Sequence, residues 1–140
     1  MILYLETSDL VKLYVEEPDS NEISGRVQAA DIVATSILSY AEARAALSRK
    51  FREKGIDEKE YERVKKELEM DWEHYFVLNL TNDMVKAAGG LSEKHSLRGF
   101  DALHLASAVE IKKLTSLPVT FSSSDTRLRS AAQDEGLVMA

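Results

Sequence analysis

Cysteine is absent from the chain, proline occurs only twice, and there are three histidines and one tryptophan among 140 residues. Without cysteine there can be no disulfide, no thiolate zinc site and no cysteine nucleophile. His74, His95 and His104 are too dispersed for a histidine-rich metal site. No apolar run approaches the ~18 residues of a membrane span, and no basic region precedes an apolar one at the N-terminus. The expectation is a cytoplasmic protein with no membrane partner. Internal repeats, low-complexity tracts and linkers are missing too.

What is present is ordinary for a folded domain: 44% hydrophobic and 30% charged residues. The length suits one domain over residues 1–140 with a substantial core. A net charge of −6 argues against a broad electrostatic nucleic-acid binder. It does not argue against a metal-dependent nuclease, whose carboxylates are gathered to hold cations.

Short apolar runs alternate with helical patterns. Ile2–Leu5, Ile32–Ala34, Phe76–Leu78, Pro118–Phe121 and Leu137–Met139 read as strands. Between them, Leu10, Val11, Leu13 and Tyr14 mark a helix capped by Thr7 or Ser8 that stops before Pro18. Asp19 or Ser20 opens another, and a long helix runs from about Leu38 to Lys54, closed by Gly55. On that long helix Leu38, Ala41, Ala45, Ala46 and Leu47 are read as the apolar side. Asp57 with Glu60 resembles a capping box for a helix striped by Tyr61, Val64, Leu68 and Trp72, so an αα-hairpin is expected. Thr81 or Asn82 starts the next helix, Gly99 is read as its break, and a further helix runs on from Phe100. The alternation predicts a mostly parallel sheet of four to five strands, covered on both faces.

Four carboxylates stand where such a fold gathers side chains. Glu6 follows the first strand, Asp101 lies in the first turn of the helix from Phe100, and Asp125 separates a strand from a helix. Glu42 sits in the first half of the helix after the second strand. Each has a plainer role as well. Asp101 and Asp125 read equally as helix caps, Glu6 as an exposed strand-end charge and Glu42 as a solvent-facing residue. In open α/β sheets, however, ligands bind beyond the carboxyl ends of the strands. Carboxylates gathered there raise one another's pKa values unless cations bind. Mg²⁺ suits such a set because it takes oxygen ligands and keeps several waters. Two ions ~3.5–4 Å apart orient a water, lower its pKa and stabilise a leaving phosphodiester oxygen. His104, one turn after Asp101, reads as a packed histidine beside the site rather than a ligand. The basic run Arg44, Arg49, Lys50, Arg52 and Lys54 reads as a solvated face or as a phosphate track.

At these residues the chain resembles a known family. Met1–Ser8, Ser39–Arg44, Phe100–Ala106 and Ser124–Leu128 look like successive motifs of PIN domains, in particular of VapC toxins from prokaryotic toxin–antitoxin pairs. The resemblance implies a three-layer α/β/α PIN fold and an endoribonuclease dependent on Mg²⁺, with Mn²⁺ as substitute. It also implies homodimerisation and neutralisation by a VapB-type antitoxin. Glu6, Glu42, Asp101 and Asp125 carry over as the acidic, metal-binding site, with Glu42, Asp101 and Asp125 in catalysis on RNA. One position departs from the pattern, which has aspartate where this chain has Glu6. That departure raises an alternative: a catalytically weakened module that binds RNA or an antitoxin. A phospho-acceptor signalling domain would also place acids and Mg²⁺ at strand ends, but no lysine stands near Leu137–Met139 to pair with a phosphorylated aspartate.

Overall fold

A computed structural model describes residues 1–140. Five strands form one sheet: β1 (Ile2–Leu5), β2 (Ile32–Ser36), β3 (Phe76–Leu78), β4 (Val119–Ser122) and β5 (Val138–Met139). Their order is β3-β2-β1-β4-β5 and every pairing is parallel. The central strand β1 pairs Ile2 with Ile32 on one side and with Val119 on the other. The expected layers and strand count are realised, with the sheet wholly parallel.

Seven helices cover the sheet. The chain places α1 (Thr7–Leu10), α2 (Ser20–Ala29), α3 (Leu38–Arg52) and α4 (Glu58–Trp72) before β3, and α5 (Asn82–His95), α6 (Gly99–Thr115) and α7 (Thr126–Asp134) after it. The alternation of β1 decides which side each group covers. Leu3 and Leu5 are buried with Leu10, Ile23, Ala43, Leu47, Val64 and Leu68, under α1 to α4. Ile2 and Tyr4 are buried with Phe121, Leu105, Ile111 and Leu128, under α5 to α7. Because β1 is buried on both faces, its sequence is continuously apolar, as a central parallel strand requires. No helix is long and apolar enough to cross a membrane.

Several local expectations are corrected. The first helix is not continuous to Pro18: α1 is one turn, followed by a 3₁₀ turn over Val11–Leu13. Neither Thr7 nor Ser8 caps it, since Glu6 holds the cap position and makes no side-chain cap bond. On α3, Ala41 and Ala45 are exposed, and Ser39, Ala43 and Leu47 form the buried stripe. Alanine gives little hydrophobic drive, so the larger Leu47 decides which way the helix turns. Gly99 does not break α5. The chain reverses at left-handed Ser96 (φ 55°), and Gly99 is the first residue of α6. Likewise Lys54 (φ 61°), rather than Gly55, takes the left-handed position after α3. The caps at Asp57 and Thr81 form as expected, accepting from the backbone N–H of Glu60 at 2.8 Å and of Met84 at 3.2 Å. The hairpin forms as well, with Phe51 stacked on Tyr61 at 4.7 Å.

The topology places a crevice. The chain steps from β1 outward to β2 and β3 beneath α1–α4, then crosses through α5 and α6 to β4 on the other side of β1. Strand order therefore reverses between β1 and β4, and such switch points open clefts at the carboxyl ends of the strands. Here Glu6 leaves β1 with its N–H bonded to the carbonyl of Ser122 at 3.0 Å.

Candidate active site

Glu42, Asp101 and Asp125 line one open cavity of about 480 Å³ at this end of the sheet, together with Arg98, Gly99 and Phe100. Glu6 stands behind them, only 7% exposed. It is therefore not an exposed strand-end charge.

Each carboxylate is held differently. Both Ser8 and Ser123 hydroxyls donate to Glu6 Oε2, the latter at 2.8 Å. Asp125 caps α7, its Oδ1 accepting from Leu128 N–H at 2.9 Å, while its own N–H donates to Ser123 Oγ at 3.1 Å. Cap and cavity wall are thus the same residue, and the two readings of Asp125 are compatible. Glu42 is half-buried, and its Oε1 accepts from Thr7 Oγ1 at 2.7 Å and from His104 Nε2 at 2.6 Å. Asp101 has no hydrogen-bond partner in the protein and caps nothing. The cap reading fails for it, because α6 begins at Gly99 and Asp101 is already inside the first turn.

The electrostatics follow from these placements. Partial burial pushes the Asp101 carboxyl above its ordinary range, and the nearby charges of Asp125, Glu6 and Glu42 add to the shift against a smaller opposing effect of His104. Glu42 behaves in the opposite way. Burial alone would raise it, but the His104 hydrogen bond, the His104 charge and the Thr7 hydroxyl outweigh that and hold it below the usual range. One carboxyl thus resists its negative charge while its neighbour keeps it.

His104 is wholly buried and organises the floor of the site. Its Nδ1 lies 2.8 Å from Tyr4 Oη, and its Nε2 faces Glu42 and, at 3.2 Å, Thr7 Oγ1. Nε2 donates to the carboxylate and the other ring nitrogen is engaged by the Tyr4 hydroxyl, so both ends of the ring are held. Burial keeps that phenol protonated, with its pKa well above the ordinary value. The chain of contacts continues through Ser39 and Thr35 to the carbonyl of Leu5. β1, β2, α3 and α6 are thereby tied together beneath Glu42. Sequence reasoning placed His104 beside the site but gave Tyr4, Thr7 and Ser39 no role there, although all three fall within the motif stretches Met1–Ser8 and Ser39–Arg44. Asp9 is equally buried and belongs to a separate tie. Ser122 Oγ donates to it at 2.6 Å, the Ser124 hydroxyl also donates, and Arg26 and Lys12 lie 3.6 and 3.7 Å away. Its charge is already answered there, apart from the cavity of the other acids. The basic run of α3 stays outside the cavity: Arg44 donates to Tyr40 Oη and Arg52 to Ser48 Oγ.

The donor set is one of hard oxygen atoms. Glu6, Glu42 and Asp125 each keep one carboxylate oxygen without a donor from the protein, and Asp101 keeps both. No three acidic or histidine side chains are drawn tightly enough together to form a ready-made ligand set for one ion. A cation that retains several waters needs only one or two direct carboxylates, and the open arrangement of oxygen atoms is compatible with such a hydrated divalent ion.

The comparisons with known proteins agree with this geometry. The family described as PIN domain matches residues 3–133. Ribonuclease VapC49 of Mycobacterium tuberculosis (strain H37Rv) is 35% identical over 114 residues, covering 79% of this chain and 76% of that protein. Ribonuclease VapC47 of the same species (strain CDC 1551) is 31% identical over 144 residues, covering 99% of this chain and 96% of its own. Among solved structures, PAE2754 from Pyrobaculum aerophilum superposes with a TM-score of 0.68 at 16% identity, covering 99% of this chain and 83% of that one. VapBC2 from Rickettsia felis, bound to a DNA fragment from its promoter, gives 0.67 at 16% identity over 100% and 98% of the two chains. A five-stranded parallel sheet, a switch-point cleft lined by acids and a family match across nearly the whole length lead to one assignment: this chain belongs to the PIN-domain family, in its VapC group.

Proposed function

We infer that this protein is a divalent-metal-dependent endoribonuclease and the toxin of a type II toxin–antitoxin pair. The observation that carries the reading is Asp101: a half-buried carboxylate with no partner in the protein, its pKa pushed up by burial and by Asp125, Glu6 and Glu42. A group so placed costs stability unless a cation neutralises it. The relatives named as ribonucleases and the solved toxin–antitoxin complexes support the same class of activity and a VapB-type antitoxin as partner.

Asp101 and Glu6 are the residues that would hold Mg²⁺, with Mn²⁺ as substitute, and Asp125 and Glu42 complete the set. Bound there, the ion supplies Lewis-acid charge that makes water a stronger nucleophile near neutral pH and offsets the charge of the phosphodiester. The chain's own groups do the rest. Glu42, kept ionised by His104 and Thr7, accepts a hydrogen bond from water in the cavity and so orients it toward the substrate. Tyr4 fixes the His104 ring, which in turn fixes Glu42. Homodimerisation belongs to the same reading.

The direct test is cleavage of RNA by purified protein. Cleavage should require Mg²⁺ or Mn²⁺, stop in excess EDTA, and fall by at least ~10²-fold in Asp101→Asn with the circular-dichroism spectrum unchanged. Robust cleavage in EDTA would refute the reading. The Glu6 carboxylate, bound to two serine hydroxyls, favours a second reading, a PIN module with weakened chemistry. Shortening that side chain decides between them. A gain in kcat on the order of tenfold or more in Glu6→Asp indicates impairment, since small misplacements cost up to ~10²-fold. An unchanged rate means glutamate serves as well.

A further inference from the structure

Three cavities adjoin around the start of α6. The carboxylate cavity shares Gly99 and Phe100 with an apolar one of about 290 Å³, whose other walls include Val85, Ala88 and Leu103. It also shares Arg98, Asp101 and Asp125 with a polar cavity of about 340 Å³ that reaches Arg127. Apolar ring, acidic centre and basic flank therefore follow one another along a single surface.

The fold does not use the residues at the two ends of this series. Phe100 is 62% exposed, belongs to neither core and has no aromatic partner, whereas Ala102 and Leu105 just beyond it are fully buried. The Arg98 side chain makes no hydrogen bond or ion pair, although it borders a cavity with three carboxylates. Arg127 has one contact, a long bond of 3.3 Å to the carbonyl of Ser96. In a chain of net charge −6, two guanidinium groups with no acidic partner stand beside the acids, where they can take phosphate.

We propose that RNA lies across the start of α6 with one unpaired base stacked on Phe100 and a backbone phosphate held by Arg98 and Arg127, which assigns these three side chains a binding subsite beside the carboxylates. Glu42, Asp101 and Asp125 line the cavity that Phe100 and Arg98 both border. The proposal rests on the ribonuclease reading and makes it more specific. An exposed ring reads any base by its face, so it selects for unstacked strands rather than for sequence. A base inside a duplex is covered by its neighbours and has no free face to offer. The arginines add a charge contact that carries no sequence information.

The test uses Asp101→Asn protein, so that binding is measured without cleavage, and short RNAs carrying 2-aminopurine at successive positions. The single strand should bind more tightly than the same sequence in a duplex. Phe100→Leu, which keeps an apolar side chain without the ring, should weaken single-strand binding by about fivefold to a hundredfold. Phe100→Trp should restore it. A 2-aminopurine signal at one position should change with the ring present and be lost in Phe100→Leu. The paired substitution Arg98→Ala with Arg127→Ala should reduce the slope of log affinity against log salt by about 0.7, the share of one phosphate on a single strand. The proposal is overturned if Phe100→Leu binds as tightly as the parent, or if single strand and duplex bind alike. It is also overturned if the substitution changes only the oligomeric state in light scattering, which would make the surface a protein contact. In these cases metal-dependent cleavage by the unsubstituted protein keeps the ribonuclease reading intact. If that protein neither cuts nor binds RNA, both fail together.

Discussion

Asp101 and Glu42 share a cavity wall and respond oppositely to it, which gives the site a measurable pH signature before any metal is added. For Asp101 the folded pKa lies above the unfolded one, so its favourable contribution is complete below about pH 4 and is lost as pH rises through the folded value. At neutral pH the ionised group costs stability, and Asp101→Asn should remove that cost. In metal-free buffer the amide variant should melt ~1–3 °C above the parent at pH 7, with the gap closing toward pH 4. The modest size reflects screening of a half-exposed carboxylate. A melting temperature below the parent's at pH 7 would mean that Asp101 is satisfied in the metal-free protein. Glu42 runs the other way: its contribution is present above the unfolded pKa and lost as pH falls through the depressed folded value. The four acids were visible as isolated letters, since Glu6, Asp101 and Asp125 stand at a strand end or a helix start and Glu42 in the first half of a helix. Their separate environments were not, because Tyr4, Thr7 and Ser123 act on them from other parts of the chain.

At the level of elements, α6 does two jobs at its two ends. Its N-terminal turn carries Asp101 and Phe100 into the cleft, while its body from Ala102 to Ile111 is the most buried helix surface in the protein. Such burial follows from Ala102, Ala106 and Ala108, which let the helix lie close on β2 and β4. The helix ends at Ser116, held left-handed at φ 54°. That conformation crowds the Cβ of any residue but glycine. Ser116→Gly, remote from the cleft, should therefore stabilise the protein by ~0.5–1 kcal/mol and raise its melting temperature by about 2–4 °C, with RNA cleavage unchanged. Helices and caps of this kind were largely legible from spacing and cap residues, as Asp57 and Thr81 show. The reversals at Ser96 and Lys54 were not, because nothing in a serine or lysine announces a positive φ, and the nearby Gly99 and Gly55 offered a more obvious but incorrect place for the break.

For the whole molecule, the sheet order makes the cleft, and the proposed metal site in that cleft would make ion binding a stability event. An ion that binds the folded chain alone stabilises it by mass action, about 1.4 kcal/mol at ten times its Kd. Titrating Mg²⁺ or Mn²⁺ should raise the melting temperature by several degrees in the parent protein. Asp101→Asn should show little or no rise, and an equal rise in both would place the ion elsewhere. This measurement is independent of RNA and so separates metal binding from cleavage.

The amino-acid pattern alone determined the alternation of strands and helices, the parallel sheet buried on both faces and the identity of the four acids. These are consequences of local periodicity, turn chemistry and side-chain type, all of which act over a few residues. Only the tertiary structure decided that Glu42, Asp101 and Asp125 wall one cavity, with Glu6 tied to serines behind them and Asp9 neutralised apart. It also decided that Phe100 and Arg98 are left free at the mouth. Those outcomes depend on which strand lies beside which, and on hydroxyls that arrive from positions more than a hundred residues away in the chain. Contacts at that separation leave no periodic trace in the sequence, because they are set by the packing of whole layers and not by neighbouring residues.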